Sequence, residues 1–148
     1  MEERLRLKQD NSGHYIQSDY SLLNGAALAY IGDAVYEVEV RKYVLSLGKT
    51  HPNYLHQAAV KYVSAQGQAQ VMLSWLKESD FLSSEEIAIY KRGRNHKTTT
   101  KAKNATIGDY RQATGFEALI GWLNLTQQKD RCQNLIHRAI EIINERGE

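Results

Sequence analysis

From Ser21 onward, apolar residues recur every three or four positions, and that period predicts helices almost throughout. Leu23, Ala27, Tyr30, Ile31, Ala34, Val35, Val38 and Leu45 give a first helix, over about 21–47, a broad apolar face, with Gly48 as its stop. Pro52, suited to a first helical turn, opens a second helix that runs to about Val63 through Leu55, Ala59 and Val60. Ser64 caps a third, reaching about Lys77 through Ala69, Val71, Met72, Trp75 and Leu76. Ser83 with Glu86 three residues later is a capping box, and a short helix follows to about Lys91. The Thr98-Thr99-Thr100 run, with Gly and Asn around it, reads as loop. A fifth helix, about 109–126, carries Phe116, Ala118, Leu119, Ile120, Trp122, Leu123 and Leu125. The sixth, about 130–145, carries Leu135, Ile136, Ala139, Ile140 and Ile143 at amphipathic spacing. No stretch alternates with period two, so no strands are expected. The expected architecture is one all-α domain over 19–148, preceded by a polar arm or tail over 1–18.

Composition narrows the classes. A chain of 148 residues with 42% hydrophobic content can bury one core. The single cysteine, Cys132, excludes an internal disulfide framework and a cysteine zinc cluster, and reads as a small buried hydrophobe. No run approaches the roughly 18 apolar residues of a membrane span. Residues 1–19 lack the apolar region of a secretory signal, so a soluble cytoplasmic protein with no membrane partner is expected. The five histidines (14, 51, 56, 96 and 137) show no metal-ligand spacing and suit surface or packing roles.

The net charge of +2 hides an asymmetry. Residues 91–111 hold seven basic side chains (Lys91, Arg92, Arg94, Lys97, Lys101, Lys103 and Arg111) against Asp109 alone, while the rest of the chain is net −4. Such a segment is either a phosphate-binding footprint or a solvated charged loop.

Two acids stand inside apolar runs: Asp33 in Ala29-Tyr30-Ile31-Gly32-Asp33-Ala34-Val35, and Glu117 in Gly115-Phe116-Glu117-Ala118-Leu119-Ile120. A buried ionised carboxylate costs several kcal/mol unless a cation or hydrogen bonds compensate it. Either both acids point to solvent from amphipathic helices, or they face something specific. Glu37 lies one turn beyond Asp33 on the same face. Gly32 serves either close helix packing or the approach of a partner element near Asp33. Acidic oxygens without His or Cys suit a hard cation, Mg²⁺ or Mn²⁺, rather than zinc. The apolar residues around Gly32, notably Tyr30, Ile31 and Val35, exceed what one small core buries, which predicts a symmetric dimer.

These motifs carry a resemblance. The segment from Leu28 to Glu37, LAYIGDAVYE, resembles the signature helix of ribonuclease III, and Val63-Ser64-Ala65 resembles that fold's next block. Arg92-Gly93-Arg94-Asn95-His96-Lys97, then Lys103-Asn104-Ala105, then the segment from Tyr110 to Gly121 resemble its short bacterial branch, Mini-ribonuclease III. In full-length members a Glu stands four residues before the signature Asp and an Asp three residues before the final Glu; here these positions are Ala29 and Thr114, as in the short branch. Full-length members also append a double-stranded RNA-binding domain, for which the chain after the last helix leaves no room.

The resemblance implies a hydrolase: a metal-dependent endonuclease cutting phosphodiester bonds in double-stranded RNA. Asp33 and Glu117 would be catalytic and bind Mg²⁺, with Mn²⁺ as the alternative. Glu37, Asn95 and Thr114 would assist around the metal, water or phosphate. Arg92, Arg94, Lys97, Lys101, Lys103 and Arg111 would bind the RNA backbone. It further implies a homodimer acting in rRNA processing and ribosome biogenesis, on the terminal duplex of precursor 23S rRNA, with a ribosomal protein or assembly intermediate as a further partner. Two rivals stand: a non-catalytic helical RNA-binding module of ribosome assembly, and a helical protein-interaction domain. Asp33 and Glu117 discriminate, because pure RNA binding has no use for acids beside phosphates.

Overall fold

The computed structural model describes residues 8–9, 15–16, 20–97 and 106–147. Among these are six α-helices: α1 Gly25–Ser46, α2 Pro52–Val63, α3 Ala65–Lys77, α4 Ser84–Arg94, α5 Ile107–Leu125 and α6 Lys129–Arg146. The all-helical domain expected from the periodicity is therefore found, and α2 and α3 have the predicted spans.

Other boundaries differ for local reasons. A 3-10 turn occupies Tyr20–Leu22, and α1 begins only at Gly25 because the Asn24 side chain accepts the Ala27 N–H at 2.8 Å. At its far end Gly48 takes φ +96°, a conformation that favours glycine. The Ser83/Glu86 capping box forms, but α4 runs beyond Lys91 to Arg94. Arg92 and Arg94 thus stand on a helix rather than in a loop, in a last turn where positive charge complements the dipole. Thr106 accepts the Asp109 N–H at 2.9 Å and starts α5 two residues early. Within 1–18, β1 Lys8–Gln9 pairs antiparallel with β2 Tyr15–Ile16, Lys8 opposite Ile16. Two-residue strands are too short to show a period, which is why the sequence pattern missed them.

α5 is the centre. Ala113, Gly115, Phe116 and all residues of 118–123 are buried. A helix apolar on every side must be surrounded, and α1, α3, α4 and α6 pack against it. Phe116 meets Tyr36 of α1 edge-on, with centroids 4.8 Å apart, and stacks on Trp75 of α3 at 5.5 Å. α6 closes one side with buried Leu135, Ile136, Ala139, Ile140, Ile142 and Ile143. Cys132 is buried as expected, and burial pushes its thiol up to about 11.

The crossing of α1 and α5 is unusually close. A Cβ on Gly32 would collide with the backbone carbonyl of Glu117, and one on Gly121 with that of Leu28. Both readings of Gly32 therefore coincide: the close packing is what brings a second element up to Asp33. Of the three apolar residues around it, Tyr30 is 80% exposed, while Val35 already packs against the core.

Candidate active site

Asp33 directly follows Gly32 on α1, and Glu117 precedes Gly121 by one turn on α5. The glycine crossing brings the two carboxyl groups within hydrogen-bonding reach of each other. Asp33 is exposed, as a solvent-facing reading would have it, whereas Glu117 is half-buried. Burial pushes the Glu117 carboxyl up to about 8; the hydrogen bond and charge of Asp33 act in the same direction, as does the charge of Glu37. The ion pairs formed among the described residues leave both carboxylates out. A buried acid facing a second acid lacks positive charge.

No three His, Cys, Asp or Glu side chains converge as a metal cluster among the described residues. The donor set is thus two carboxylates, which fits a hard cation that retains much of its water, such as Mg²⁺. Glu37 lies near enough to act on Glu117, but its carboxylate pairs with Arg41 at 2.8 Å.

One residue of the site escaped the sequence reading. Gln68 of α3 is 1% exposed; its Nε2 donates to Glu117 Oε2 at 3.4 Å and to the Val63 carbonyl at 3.2 Å. The signal was present, since Gln68 shares an i, i+3, i+4, i+7 stripe with Val71, Met72 and Trp75. It is the neutral counterpart of an acid in an apolar run, with no charge to set it apart from an ordinary polar surface position.

The remaining candidates have definite positions. Thr114, one turn before Glu117, donates its hydroxyl to the Tyr110 carbonyl at 2.9 Å, leaving oxygen lone pairs to accept. Asn95 caps the end of α4, and its Oδ1 accepts from Arg94 Nε at 3.1 Å. The Arg94 guanidinium also lies over the Tyr90 ring, 5.4 Å from its centroid. Arg92 is half-buried and donates to the Leu23 carbonyl at 3.1 Å, so it braces the entry to α1. Lys97 and Arg111 are exposed. Lys101 and Lys103 lie outside the described residues. α4 packs its Gly93 against Thr114 and Gly115 of α5, so the basic end of α4 adjoins the helix that carries Glu117.

The profile of the ribonuclease III domain matches residues 26–128. A Mini-ribonuclease 3 of Enterococcus faecalis is 53% identical over 130 residues, 88% of this chain and 98% of the relative. One from Streptococcus pneumoniae is 47% identical over 123 residues, 83% and 95% of the two chains. The crystal structure of a Fusobacterium nucleatum protein superposes with a TM-score of 0.70 at 31% identity, covering 84% of this chain and 94% of that one.

Proposed function

The chain belongs to the ribonuclease III family, and from that premise we propose that Asp33 and Glu117 are its catalytic pair and hold a divalent cation, Mg²⁺ or Mn²⁺. It is a ribonuclease, a hydrolase of phosphodiester bonds acting on double-stranded RNA. The observation that carries the proposal is the meeting of two carboxylates from separate helices, one exposed and one half-buried, at a backbone-on-backbone crossing.

A divalent cation bound there would supply or orient the hydroxide nucleophile and stabilise charge on the phosphate and leaving oxygen. Asp33, exposed, presents its carboxylate at the surface a duplex can reach. Glu117, half-buried and bonded to Gln68, provides a more fixed oxygen than a free surface acid would. Thr114 keeps an acceptor lone pair one turn away. Arg94, Lys97 and Arg111, joined by Lys101 and Lys103, would hold the RNA backbone, and Arg92 would combine that contact with bracing α1. Phosphates carry no base identity, so the duplex would be read by shape.

Cutting both strands needs two sites, and we propose a homodimer. Tyr30 and Val38 of α1 are exposed apolar side chains, and the exposed Leu45 and Val60 line a groove between α1 and α2 with Val44, Leu55, Ala59 and Val63, surfaces that a second copy would cover. The proposed substrate is the terminal duplex of precursor 23S rRNA, supported by the similarity to the Mini-ribonuclease 3 relatives. That role would place the protein in the cytoplasm, where a ribosomal protein or assembly intermediate would accompany the RNA. Among the described residues no helix is long and apolar enough to cross a membrane.

The test is incubation of the purified protein with long duplex RNA, with and without Mg²⁺. Cleavage confined to the cation-containing reaction is expected. Binding without cleavage under both conditions would favour the non-catalytic RNA-binding module instead.

A further inference from the structure

We propose that Gln68 is a positioning residue that holds the Glu117 carboxylate in place for cation binding by tying it to the junction of α2 and α3. The inference rests on the reading that Asp33 and Glu117 hold a divalent cation.

Val63 is the last residue of α2, so its carbonyl lies beyond the helical ladder and needs a donor from elsewhere. Gln68 Nε2 supplies one hydrogen there, at 3.2 Å, and its other hydrogen points to Glu117 Oε2, at 3.4 Å. The amide has one sensible orientation. Turned over, its carbonyl oxygen would face two acceptors. In the orientation found, Oε1 is buried without a hydrogen-bond partner.

That orphaned acceptor is the informative detail. A buried amide with one unmet group costs stability, whereas an apolar side chain of equal shape fills the same space without that cost. Val71 and Met72 on the same stripe are fully buried hydrophobes, so an apolar residue would suit position 68 better for packing alone. What an apolar residue cannot do is donate to Glu117. The Glu117 side chain has three rotatable bonds and, once ionised, is repelled by Asp33. Without the Gln68 N–H it would turn away from the neighbour with which it must share a cation. Metal sites depend on such supporting hydrogen bonds, whose loss commonly costs about 10–100-fold in affinity or activity.

The variant is Gln68→Met, nearly isosteric and without donors, measured beside Glu117→Gln in the full-length chain. Mn²⁺ alone is titrated calorimetrically into RNA-free protein. Duplex cleavage is then followed over Mn²⁺ and RNA concentration. Expected for Gln68→Met are a melting temperature within a few degrees of wild type, Mn²⁺ affinity lower by about tenfold or more, kcat lowered at limiting Mn²⁺ and restored by excess, and an unchanged KM for RNA. Wild-type Mn²⁺ affinity, within twofold, would overturn the proposal. Should Gln68→Met not fold, Gln68→Asn serves: it keeps the amide but is one methylene too short to span Val63 and Glu117. The same weakening is expected of it, and the same wild-type result is fatal. If Glu117→Gln binds Mn²⁺ as tightly as wild type, the cation site itself is misplaced and the inference falls with it. If Glu117→Gln loses binding while Gln68→Met keeps it, the inference alone falls.

Discussion

Glu86, buried, and Glu117, half-buried, are both carboxylates drawn out of water on neighbouring helices of one small core. Glu86 accepts from its capping partner Ser83 at 2.8 Å and from the Arg131 guanidinium of α6, both bonds again at 2.8 Å. Burial pushes its carboxyl up, but the Arg131 and Ser83 hydrogen bonds outweigh it and hold the group below the usual range. Arg131 also donates to the Phe81 carbonyl at 2.7 Å, so this pair joins α4, α6 and the turn before α4. Glu117 is half-buried against another acid, and its neutral donor Gln68 sits at 3.4 Å. A buried acid with a matched cation is a strut. A buried acid whose neighbour is a second acid is a site from which positive charge is missing, and the fold bears the cost of leaving it so.

Substitutions at the two places should therefore fail in opposite ways. Asp33→Asn removes a charged oxygen with little change of shape from an exposed position. Cleavage of long duplex RNA in Mg²⁺ should fall at least about a thousandfold, roughly 4 kcal/mol, while the melting temperature stays within a few degrees. Initial rates and a thermal melt on one preparation check both halves. Glu86→Gln should do the reverse, costing about 2–3 kcal/mol of stability, toward the lower side of values for buried pairs because Arg131 is one-third exposed. That is roughly a 5–10 °C fall in melting temperature, with cleavage per folded molecule unchanged.

A smaller effect separates binding from chemistry. Arg94→Ala with Lys97→Ala should weaken duplex RNA binding by about 1–3 kcal/mol, equally across RNA sequences, and make the salt dependence shallower. Binding measured in Ca²⁺ over a salt series checks it. Unchanged affinity and slope would mean that the RNA path lies elsewhere.

The helical architecture was legible in the sequence because apolar period and capping residues act locally. Ser64, Ser83 with Glu86, and Gly48 each mark a boundary through their own backbone hydrogen bonds or conformation. Asn24 and Thr106 act by the same chemistry, yet sit beside no change in apolar period that would draw attention to them. The acids Asp33 and Glu117 were legible as misfits in apolar runs, but not as a pair, since 84 positions separate them in the chain. What pairs them is the Gly32–Gly121 crossing, a property of two surfaces rather than of either segment. Gln68 was less visible still: its significance comes from one acceptor on α5 and one at the end of α2. The placement of Arg92 against the Leu23 carbonyl is likewise a tertiary matter that its charge could not reveal.

A pH dependence of the cation-free protein is also expected. Burial and the neighbouring Asp33 push the folded Glu117 carboxyl up to about 8 from its ordinary 4.5, so between these values the folded state binds more protons. Stability should then fall as pH rises from about 5 to about 8 and level off above, by up to about 5 kcal/mol, on the order of 10 °C in melting temperature. Glu117→Gln should lack that slope, and Glu86→Gln should retain it.

The most direct measurement of the pair's role is a thermal melt at pH 8 of wild type and Glu117→Gln, each with excess chelator and with millimolar Mg²⁺. A cation bound only by the folded state raises the melting temperature. Wild type should melt several degrees higher in Mg²⁺ than in chelator. Glu117→Gln in chelator should melt at least as high as wild type in chelator, because the repulsion with Asp33 is gone, and Mg²⁺ should add nothing. An equal Mg²⁺ increment in both proteins, or a Glu117→Gln protein markedly less stable than cation-free wild type, would contradict the assignment of Asp33 and Glu117 as a cation site.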